Sequence, residues 1–353
     1  MGLRICYIAG REATYSRTRI LLKAMTQAGF ETVSCLPPNK HFRHYPRLIW
    51  KFIRENKKCD LILVGFYGQL LFPVVRVLTK KPILLDLYVS TFDTMVHDRG
   101  TAKPKSLLAW LYRFVDRFSM RLSDRIILET RNHIRNYANR FKIPEEKFEH
   151  LFLASDEAVM KPKRDLGRKQ QFLVHFHGEY APFHGVEYII RAAELLRKEP
   201  IRFQLIGKGI TYQKDRALAE SLALKNITFI ERVPYENLAD MMAKADCCLG
   251  VFGNNARNPR ILTNKVVETL AAGKPLISQR NLPIQELVKD GESGLLVERG
   301  NPSQIAQAIL KLKRSSRLRK RLGEKGHVVF LKHCTLKVFS DRLKKIVKEM
   351  VAQ

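Results

Sequence analysis

Short apolar segments alternate with longer amphipathic ones along most of the chain, and this alternation restricts the fold more than any other feature. The first half contains five segments that are typical of buried strands: RICYIAG, ETVSCLP, LILVGF, PILLDLY and RIILET. Six more follow a basic, poorly periodic stretch: FLVHFHG, RFQLIG, ITFI, CCLGVF, PLIS and GLLVE. Helix-length segments between strands indicate an α/β protein with parallel sheets, because parallel neighbours need long crossover connections.

The break in this alternation divides the chain into two doubly wound, Rossmann-like domains. At 353 residues the chain exceeds the size of one ordinary core, and the stretch MKPKRDLGRKQQ places a linker near residues 160–170. We predict a first domain over 1–165, a second over 166–330, and a C-terminal helix within 331–353 that returns to the first domain. Open parallel sheets bind ligands beyond the carboxyl ends of their strands, so a central cleft faced by both domains is the expected site.

The charge of the chain is strongly positive, with 63 Lys and Arg against 34 Asp and Glu, or +29 in total. Such a charge attracts polyanions, which include nucleic acids, anionic lipid headgroups and phosphorylated ligands. The sequence shows no helix-turn-helix, zinc-finger or aromatic RNA-binding pattern. A protein dedicated to nucleic acid is therefore the weakest of these interpretations.

The cysteines and the amino terminus predict a reduced, cytoplasmic protein. The six cysteines form no CxxC pair and no metal-ligand spacing, so neither a zinc site nor a disulfide framework is indicated. The start, MGLRICYIAG, is typical of a strand rather than a signal peptide. The longest uncharged run, LILVGFYGQLLFPVV, is too short to span a bilayer.

A basic helix is predicted within residues 45–58, where Arg47, Lys51, Arg54 and Lys58 recur at helical spacing beside apolar positions. Such a helix can rest on an anionic membrane, which predicts peripheral attachment to the inner face of the cell membrane. A surface helix that packs its apolar face on the first sheet fits the pattern as well. Both interpretations hold if the basic face alone meets lipid.

Two glycine-bearing loops of the second half are candidates for anion binding. After FLVHFHG, Gly178 and Gly185 frame a turn into a helix, where backbone groups can approach an anion. An ordinary strand-to-helix turn explains the same residues. After RFQLIG, Gly207, Lys208 and Gly209 form a G-x-G that lacks the rest of a dinucleotide fingerprint and the GK[ST] of a P-loop, so neither nicotinamide binding nor Walker-type hydrolysis is indicated.

The third candidate loop is RNPRILTNKVVETLAAGKP, residues 257–275, which predicts a helix from about residue 262 to 272. Lys265 and Glu268 lie three residues apart, hence on one helical face and near the amino-terminal turns, where the helix dipole favours anions. An ammonium and a carboxylate there can serve the phosphate and hydroxyl groups of one ligand. An exposed salt bridge is the alternative interpretation.

Five segments of the second half carry a resemblance to a known family: FHGEYAPFHGVEYIIRAAELL, FQLIGKG, ITFIERVPYENLADMMAKADCCLGVF, TNKVVETLAAGKPLIS and ELVKDGESGLLVERGNPSQIAQAI. Over about residues 171–315 they resemble the donor-nucleotide domain of family-4 glycosyltransferases, which have the GT-B fold. STFDTMVHDRG and LSDRIILETRNHIRNY in the first half are more loosely similar to the same group. The resemblance implies a nucleotide-sugar donor bound by the second domain.

The resemblance assigns roles to the third loop. In the family, the second glutamate of a Glu-x7-Glu motif binds the ribose hydroxyls of the donor, and Glu268 matches it. Eight residues earlier, Arg260 stands in place of the first carboxylate. The chain instead resembles a subset with the pattern Arg-x-x-x-Asn-Lys-x-x-Glu, which Arg260, Asn264, Lys265 and Glu268 satisfy.

The first glycine loop departs from the family, because Glu179 and His184 occupy the usual places of an arginine and a lysine that hold the diphosphate. We therefore infer that Arg260 and Lys265 bind the diphosphate and act in catalysis, with help from backbone amides of the two glycine loops and from a protonated His184. The predicted donor-binding residues are Gly178, His184, Gly185, Gly207, Lys208, Asn264 and Glu268.

The reaction that the resemblance implies is a retaining transfer on one face of the sugar, in which the leaving phosphate accepts the proton of the acceptor. Fixed cations stabilise the charge that develops on that phosphate. The sequence contains no Asp-x-Asp, so we predict a metal-independent hexosyltransferase without a cofactor. Its acceptor is expected to be a glycan or a lipid-linked molecule of cell-surface polysaccharide or glycolipid synthesis. A GT-B epimerase or a sugar phosphorylase is the alternative.

The first domain supplies the candidates for the acceptor side. Asp93, Asp98 and Arg99 follow the strand PILLDLY and are predicted to be catalytic residues that face the cleft. His133, near another strand end, and Arg11, after the first strand, are predicted to contact the acceptor. Turn caps and solvated charges are the alternative interpretation of these residues.

Overall fold

The structure is a computed structural model that describes residues 2–39, 41–163 and 171–352. The chain divides into two units: unit 1 is Met1–Ala154 with Leu336–Gln353, and unit 2 is Ser155–Thr335. The boundary predicted between residues 165 and 166, with most of the predicted linker, lies outside the described residues.

Unit 1 contains a parallel sheet covered by helices on both faces. Its strands are β1 (Arg4–Ile8), β2 (Glu31–Cys35), β3 (Leu61–Val64), β4 (Ile83–Asp86), β5 (Arg125–Leu128) and β6 (Phe148–His150). The helices between them are α1 (Ser16–Gln27), α2 (Tyr45–Glu55), α3 (Phe72–Leu78), α4 (Leu107–Leu122) and α5 (Arg131–Phe141). Within the described part of unit 1 the strand order is β2-β1-β3-β4-β5-β6.

Unit 2 repeats this plan. Its strands are β7 (Phe172–His177), β8 (Ile201–Ile206), β9 (Ile227–Ile230), β10 (Cys247–Leu249), β11 (Leu276–Gln279) and β12 (Leu295–Val297). Its helices are α6 (Val186–Leu195), α7 (Tyr212–Ser221), α8 (Tyr235–Ala243), α9 (Asn264–Ala271), α10 (Leu282–Gln285), α11 (Pro302–Arg314) and α12 (Ser316–His333). The order of the strands described in unit 2 is β12-β11-β10-β7-β8-β9, the doubly wound order of Rossmann sheets.

The α/β class predicted from the alternation of segments is confirmed, and every predicted strand is present. LILV of β3 is buried throughout, because a parallel sheet covered on both faces leaves no side for solvent. The short edge strand β6, Phe148–His150, was not predicted, since a strand of three residues that includes Glu and His has no apolar run to reveal it.

A last helix, α13 (Leu336–Val351), belongs to unit 1. It packs on α1 through an apolar face that includes Phe339, Leu343 and Ile346. The sequence predicts the returning helix within 331–353, but residues up to His333 complete α12, so the returning helix begins only at Leu336.

Two helix boundaries in unit 2 confirm the local sequence signals. The side chain of Asn301 caps α11 by accepting the backbone N–H of Gln304 at 3.0 Å, a common arrangement where Asn precedes a proline at the first helical position. Helix α9 lies within the predicted 262–272 and is followed by Gly273, whose φ of +63° ends it.

Candidate functional site

The three predicted loops of unit 2 meet at one edge of its sheet. Strands β7 and β10 are neighbours, but the chain continues from β7 toward β9 and from β10 toward β12, in opposite directions. Such a switch point leaves a crevice beyond the carboxyl ends of the two strands. The loops after β7 and β10 flank this point, and the loop after β8 adjoins the first of them.

The loop after β8 packs backbone to backbone on the loop after β7, and glycine permits the contact. Gly207 has a φ of +125°, and a Cβ there would overlap the carbonyl oxygen of Gly178. A Cβ at Gly209 would overlap the carbonyl oxygen of Glu179. The G-x-G is thus required for the packing of two loops on each other.

The N–H groups of Gly178 and Gly207 extend the sheet. Gly178 donates to the carbonyl oxygen of Ile206, and Gly207 to that of Ile230, both at 2.9 Å. The expectation that the amides around these glycines assist phosphate binding is therefore wrong for these two amides, because parallel pairing continues one residue past each strand. What Gly178 contributes is open space in front of its Cα.

A row of four polar side chains crosses the sheet and ends at Glu268. Gln204 Nε2 lies 2.8 Å from His175 Nδ1, and His175 Nε2 lies 3.0 Å from His177 Nδ1. His177 Nε2 in turn lies 2.9 Å from Glu268 Oε2. The register of β7 and β8 produces the first contact, since it places His175 opposite Gln204. Both histidines and Glu268 are buried.

The hydrogen bonds of this row fix its tautomers. Gln204 Nε2 also donates to the carbonyl oxygen of Met241 at 3.1 Å, and because a carbonyl only accepts, this atom is the amide nitrogen. His175 Nδ1 therefore accepts, which puts the proton of His175 on Nε2. That N–H donates to His177 Nδ1, so His177 donates through Nε2 to the carboxylate of Glu268.

Glu268 consequently accepts a hydrogen bond from His177 at Oε2. Burial, with the nearby charges of His177 and Lys274, lowers the pKa of His175 well below its ordinary value of 6.5, so this ring stays uncharged. One oxygen of Glu268 is held by His177, and Oε1 is the second acceptor of the carboxylate. The sequence did not single out His175 or His177, although the alternation in FLVHFHG hinted at polar groups inside a strand.

Lys265 is a buried ammonium whose Nζ has no hydrogen-bond partner among the described residues. Its Nζ lies 4.7 Å from the centroid of the Phe176 ring. A Cβ at Gly178 would come within 2.8 Å of that Nζ, so the absent side chain leaves the space beside it open. Burial lowers the pKa of Lys265 to about 7, although the charges of Glu268 and Glu179 oppose this. An anion at this position would supply the missing partner.

Burial excludes an exposed salt bridge as the interpretation of Lys265 and Glu268. Lys265 is 5% exposed and Glu268 is 8% exposed. The carboxylate bonds to His177 instead. The pair is therefore a buried cation and a buried anion at the switch point of the sheet.

His184 borders the same space as Lys265 and is neutral. A Cβ at Gly178 would lie 2.9 Å from His184 Cε1. His184 Nδ1 accepts the N–H of Ala181 at 3.3 Å, which leaves the ring proton on Nε2. Burial, then the charges of Lys265 and Arg257, lower the pKa of His184 well below 6.5. Burial and the two nearby cations disfavour the protonated His184 that was expected, so the ring offers a neutral N–H donor.

Arg257 is a cation of this site that the sequence did not single out. It is buried, its Cζ lies 4.6 Å from the centroid of the Phe183 ring, and its charge acts on His184. The predicted phosphate ligand Arg260 is half-buried at the end of the 3-10 turn Asn258–Arg260. Both arginines belong to the same short loop, and no motif distinguishes them before the path of the loop is known.

Asn258 fixes that path. Its Nδ2 donates to the carbonyl oxygen of Phe183 at 2.8 Å and to Gln279 Oε1 at 2.9 Å. Its own carbonyl oxygen accepts from the side-chain amides of Gln279 and Asn281, both at 2.8 Å. Asn264, also predicted, is the first residue of α9. The loop after β10 is thus tied both to the loop after β7 and to β11.

Two other predicted donor-binding residues, Lys208 and Gly185, make contacts within the protein. Lys208 is exposed and forms an ion pair with Glu231, N to O 2.9 Å. Gly185 has a φ of +64°, and a Cβ there would overlap the backbone of Gly253. Gly185 therefore lets the loops after β7 and β10 touch, and Lys208 is engaged at the surface.

In unit 1, the predicted catalytic residues lie on one π-helical turn after β4. Asp93 is buried, its Oδ1 lies 2.7 Å from Arg140, and its Oδ2 accepts the hydroxyl of Tyr137 at 3.1 Å. Asp98 is buried and Arg99 is half-buried at the end of the same turn. A carboxylate held by a cation and a phenol in this way favours the structural interpretation of Asp93.

The predicted acceptor residues of unit 1 also have partners. Arg11 pairs with Glu12 at 3.1 Å, and its Cζ lies 4.0 Å from the centroid of the Tyr15 ring. His133 is buried, and its Nδ1 lies 2.7 Å from Glu129 Oε1. Each lies after the strand from which it was predicted, Arg11 after β1 and His133 after β5.

The described residues form neither a metal-binding cluster nor a membrane-spanning helix. Among residues 2–39, 41–163 and 171–352, no group of three or more His, Cys, Asp or Glu is arranged to hold a metal ion. Within the same ranges no helix combines the length and the apolar character needed to cross a bilayer. All six cysteines are free thiols.

The two doubly wound units define a protein of the GT-B fold, and solved structures confirm it. Sucrose-phosphate synthase from Thermosynechococcus elongatus superposes with a TM-score of 0.81 at 14% identity, over 99% of each chain. Anabaena HepE, in a complex with UDP and glucose, superposes with a TM-score of 0.76 at 12% identity, over 98% of this chain and 100% of that one.

Unit 2 resembles a known family in sequence. A family model described as "Glycosyl transferases group 1" matches residues 171–315. An uncharacterized glycosyltransferase of Methanocaldococcus jannaschii is 32% identical over 151 residues, which are 43% of this chain and 41% of the relative. Residues 171–315 of unit 2 therefore resemble the group 1 glycosyltransferases. It spans less than half the length of that relative.

Proposed function

We propose that this chain is a retaining, metal-independent glycosyltransferase that moves a sugar from a nucleoside-diphosphate sugar to a glycan or lipid-linked acceptor. The observation that carries the proposal is the buried Lys265 ammonium, without a hydrogen-bond partner among the described residues, beside the held carboxylate of Glu268. The match of residues 171–315 to the group 1 glycosyltransferases supports glycosyl transfer, and the UDP and glucose held by the similar fold of HepE support a nucleotide sugar as donor.

Each side chain of the site has a role in this proposal. Glu268, oriented by His177, accepts hydrogen bonds from the ribose hydroxyls. Lys265 binds the diphosphate in the space that Gly178 leaves open. The neutral N–H of His184 donates to the same group, and Arg257 adds a second positive charge from the opposite loop. A cation and a neutral donor bind a phosphate with charge-assisted hydrogen bonds.

The proposed reaction exchanges two bonds at the anomeric carbon. The bond from that carbon to the phosphate oxygen breaks, and its electron pair leaves with the nucleoside diphosphate. The acceptor hydroxyl oxygen bonds to the carbon on the same face, and its proton passes to the leaving phosphate oxygen. Charge grows on the phosphate during this step, so Lys265 stabilises the transition state more than the bound substrate. No metal, cofactor or protein nucleophile takes part.

The acceptor and the location of the enzyme form the second part of the proposal. We assign the reaction to cell-surface polysaccharide or glycolipid synthesis, with peripheral attachment to the inner face of the cell membrane. The net charge of +29 supports attraction to anionic lipid. Helix α2 buries Leu48 and Phe52 in the core and exposes Trp50 and Ile53. It packs on the sheet, as one interpretation expected, and still presents an apolar surface.

Transfer is tested with a panel of radiolabelled nucleotide sugars and lipid-linked acceptors, read as labelled glycoside. The wild-type protein should form product from one donor with retention of the anomeric configuration. Lys265→Met should abolish product, whereas Lys198→Met, which changes an exposed lysine before β8, should not. Free epimer or sugar phosphate as the product would replace transfer by the epimerase or phosphorylase alternative. Absence of any donor-dependent product or thermal shift would refute the proposal.

A further inference from the structure

The exposed apolar side chains of this protein are concentrated on one helical layer. Of the seventeen large apolar residues that are exposed within the described ranges, twelve belong to helices α2 to α4 of unit 1 or to the turn before α2. These twelve are Phe42, Trp50, Ile53, Val74, Val77, Leu78, Leu107, Leu108, Trp110, Leu111, Phe114 and Leu122. Helix α3 packs against both α2 and α4, so their outer faces adjoin. Contiguous apolar surface of this kind marks an interaction site.

Helix α4 directs its largest apolar side chains away from the core. Leu107, Trp110, Leu111 and Phe114 follow a spacing of three and four residues and therefore share one face. Leu107 is 82% exposed and Trp110 is 60% exposed. The buried side consists of smaller or more polar groups, namely Ala109, Val115, Asp116, Ser119 and Met120. An ordinary surface helix has the reverse arrangement.

The aromatic residues of this face are already ordered as a row. The rings of Trp110 and Phe114 stack with centroids 5.5 Å apart and an interplanar angle of 16°. Phe114 and Phe118 continue the row at 5.8 Å and 29°. Stacked rings lose little conformational entropy when a partner covers them, which suits a surface that binds reversibly.

Basic residues flank the apolar face, and exposed acidic residues are absent from this segment. Arg113, Arg117 and Arg121 recur every four residues beside the apolar stripe and are exposed. Lys103 and Lys105 precede the helix and are exposed as well. Between residues 101 and 122 the sequence contains a single acidic residue, Asp116, which is buried. An apolar stripe with a basic border matches an anionic lipid surface.

We propose that the α4 surface, which we define as Leu107, Trp110, Leu111 and Phe114 with Arg113 and Arg117, docks on an anionic lipid bilayer. The apolar side chains enter the headgroup region, and the arginines meet lipid phosphates. A second copy of this chain fits poorly, because two such surfaces would bring arginine against arginine. This surface would account for the peripheral membrane attachment in the proposed function. The inference rests on that function only for the reason to bind a membrane, which is access to a lipid-linked acceptor.

Vesicle binding by the full chain tests the proposal. Vesicles of phosphatidylcholine alone are compared with vesicles that contain about one third phosphatidylglycerol, at about 0.15 M salt, where long-range attraction is screened. The wild-type protein should sediment with the anionic vesicles. Trp110→Ser with Phe114→Ser should lower the partition coefficient at least about tenfold, given the apolar area removed. The matched control is Val328→Ser with Leu331→Ser, two exposed apolar residues on α12, and it should bind as the wild type does.

Charge and depth of insertion are measured separately. Arg113→Glu with Arg117→Glu should abolish the preference for anionic vesicles, whereas Arg317→Glu with Lys332→Glu, exposed positions on α12, should retain it. The chain has two tryptophans, so Trp50→Phe leaves Trp110 as the single probe. Its fluorescence should shift to the blue on anionic vesicles and become resistant to acrylamide.

Three results would overturn the proposal. One is vesicle binding that the α4 substitutions leave unchanged, and another is Trp110 emission that stays the same when the protein binds. The third is a dimer in analytical ultracentrifugation that the α4 substitutions dissociate, with no binding to vesicles. A nucleotide-induced thermal shift, measured on each variant, reports the donor site independently. Its absence in the wild type with intact vesicle binding would refute the proposed function and leave the membrane surface in place.

Discussion

Replacing Lys265 with methionine removes a buried charge and keeps the length of the side chain. Burial lowers the pKa of Lys265 from 10.5 to about 7. One pKa unit corresponds to about 1.4 kcal/mol, so the folded protein disfavours the protonated lysine by about 5 kcal/mol. A methionine can pack on the Phe176 ring without this penalty. Lys265→Met should therefore raise the free energy of unfolding while it destroys donor binding.

The gain in the free energy of unfolding from Lys265→Met should decrease as pH rises. Below pH 7 the lysine is protonated in both the folded and the unfolded chain, so the full penalty acts on the wild type. Between pH 7 and 10.5 the folded protein releases the proton and the unfolded chain keeps it, so the penalty declines as pH rises. The expected stabilisation by Lys265→Met is about 5 kcal/mol at pH 6.5 and about 2 kcal/mol at pH 9.

Urea unfolding of the wild type and the variant at these two pH values measures the effect. The exposed Lys198→Met serves as the control and should change the unfolding free energy by less than about 0.5 kcal/mol at either pH. A nucleoside diphosphate should raise the melting temperature of the wild type and of this control, and not that of Lys265→Met. A variant less stable than the wild type at pH 6.5, or a gain that is equal at both pH values, would refute the reasoning.

Three further predictions concern the same site. Glu268→Gln removes the charge that strengthens hydrogen bonds to the ribose, and steady-state kinetics should show the KM for the donor rise by roughly 10- to 100-fold; an unchanged KM would remove Glu268 from the donor site. His177→Phe takes away the N–H donor to Glu268 Oε2, so the KM for the donor should rise in the same assay. His177→Gln restores an N–H group and should recover part of the loss. Equal effects of the two substitutions would indicate that His177 has a packing role alone. The affinity for a nucleoside diphosphate should fall above pH 7, by up to about tenfold per pH unit, because the anion binds the protonated form of Lys265. Calorimetry in buffers of different ionisation enthalpy should detect proton uptake near pH 8, and binding without uptake would contradict this linkage.

The sequence predicted the parts of the fold that local patterns encode. Apolar runs located the strands from β1 to β5 and from β7 to β12, because most of these strands are buried on both faces, although β2 and β9 are only partly buried. The same patterns placed Lys265 and Glu268 on α9 at the carboxyl edge of the second sheet. The resemblance to a family identified the other candidate residues of the loop at 257–275, namely Arg260 and Asn264.

The missed features depend on contacts between distant segments. Gln204 meets His175 through strand register, and no spacing along the chain reveals which residues of β7 and β8 are opposite each other. The sequence does not distinguish Arg257, which is buried near His184, from Arg260, because the hydrogen bonds of Asn258 that hold this loop join distant segments. The lowered pKa of His184 results first from its burial and then from the charges of Lys265 and Arg257, and the sequence shows neither.

Helix α4 shows a different limit of pattern reading. Its periodicity predicts a helix with an apolar stripe, but a stripe does not say whether it faces the sheet or the solvent. Ala109, Val115 and Met120 occupy the inner side, and the bulkier Trp110 and Phe114 face outward. Only the position of α4 in the fold determines which of its sides is covered.

The close backbone contact at Gly207 and Gly209 limits how the donor specificity of this protein can be altered. Gly207 and Gly209 accept the backbone of Gly178 and Glu179 so closely that neither loop has room to change its course alone. If only one of these loops were replaced by that of another glycosyltransferase, its backbone would not fit the loop that remains. A chimera should therefore transplant residues 178–185 and 207–209 as one cassette, and libraries for altered sugar preference should vary the side chains around this backbone and leave its glycines untouched.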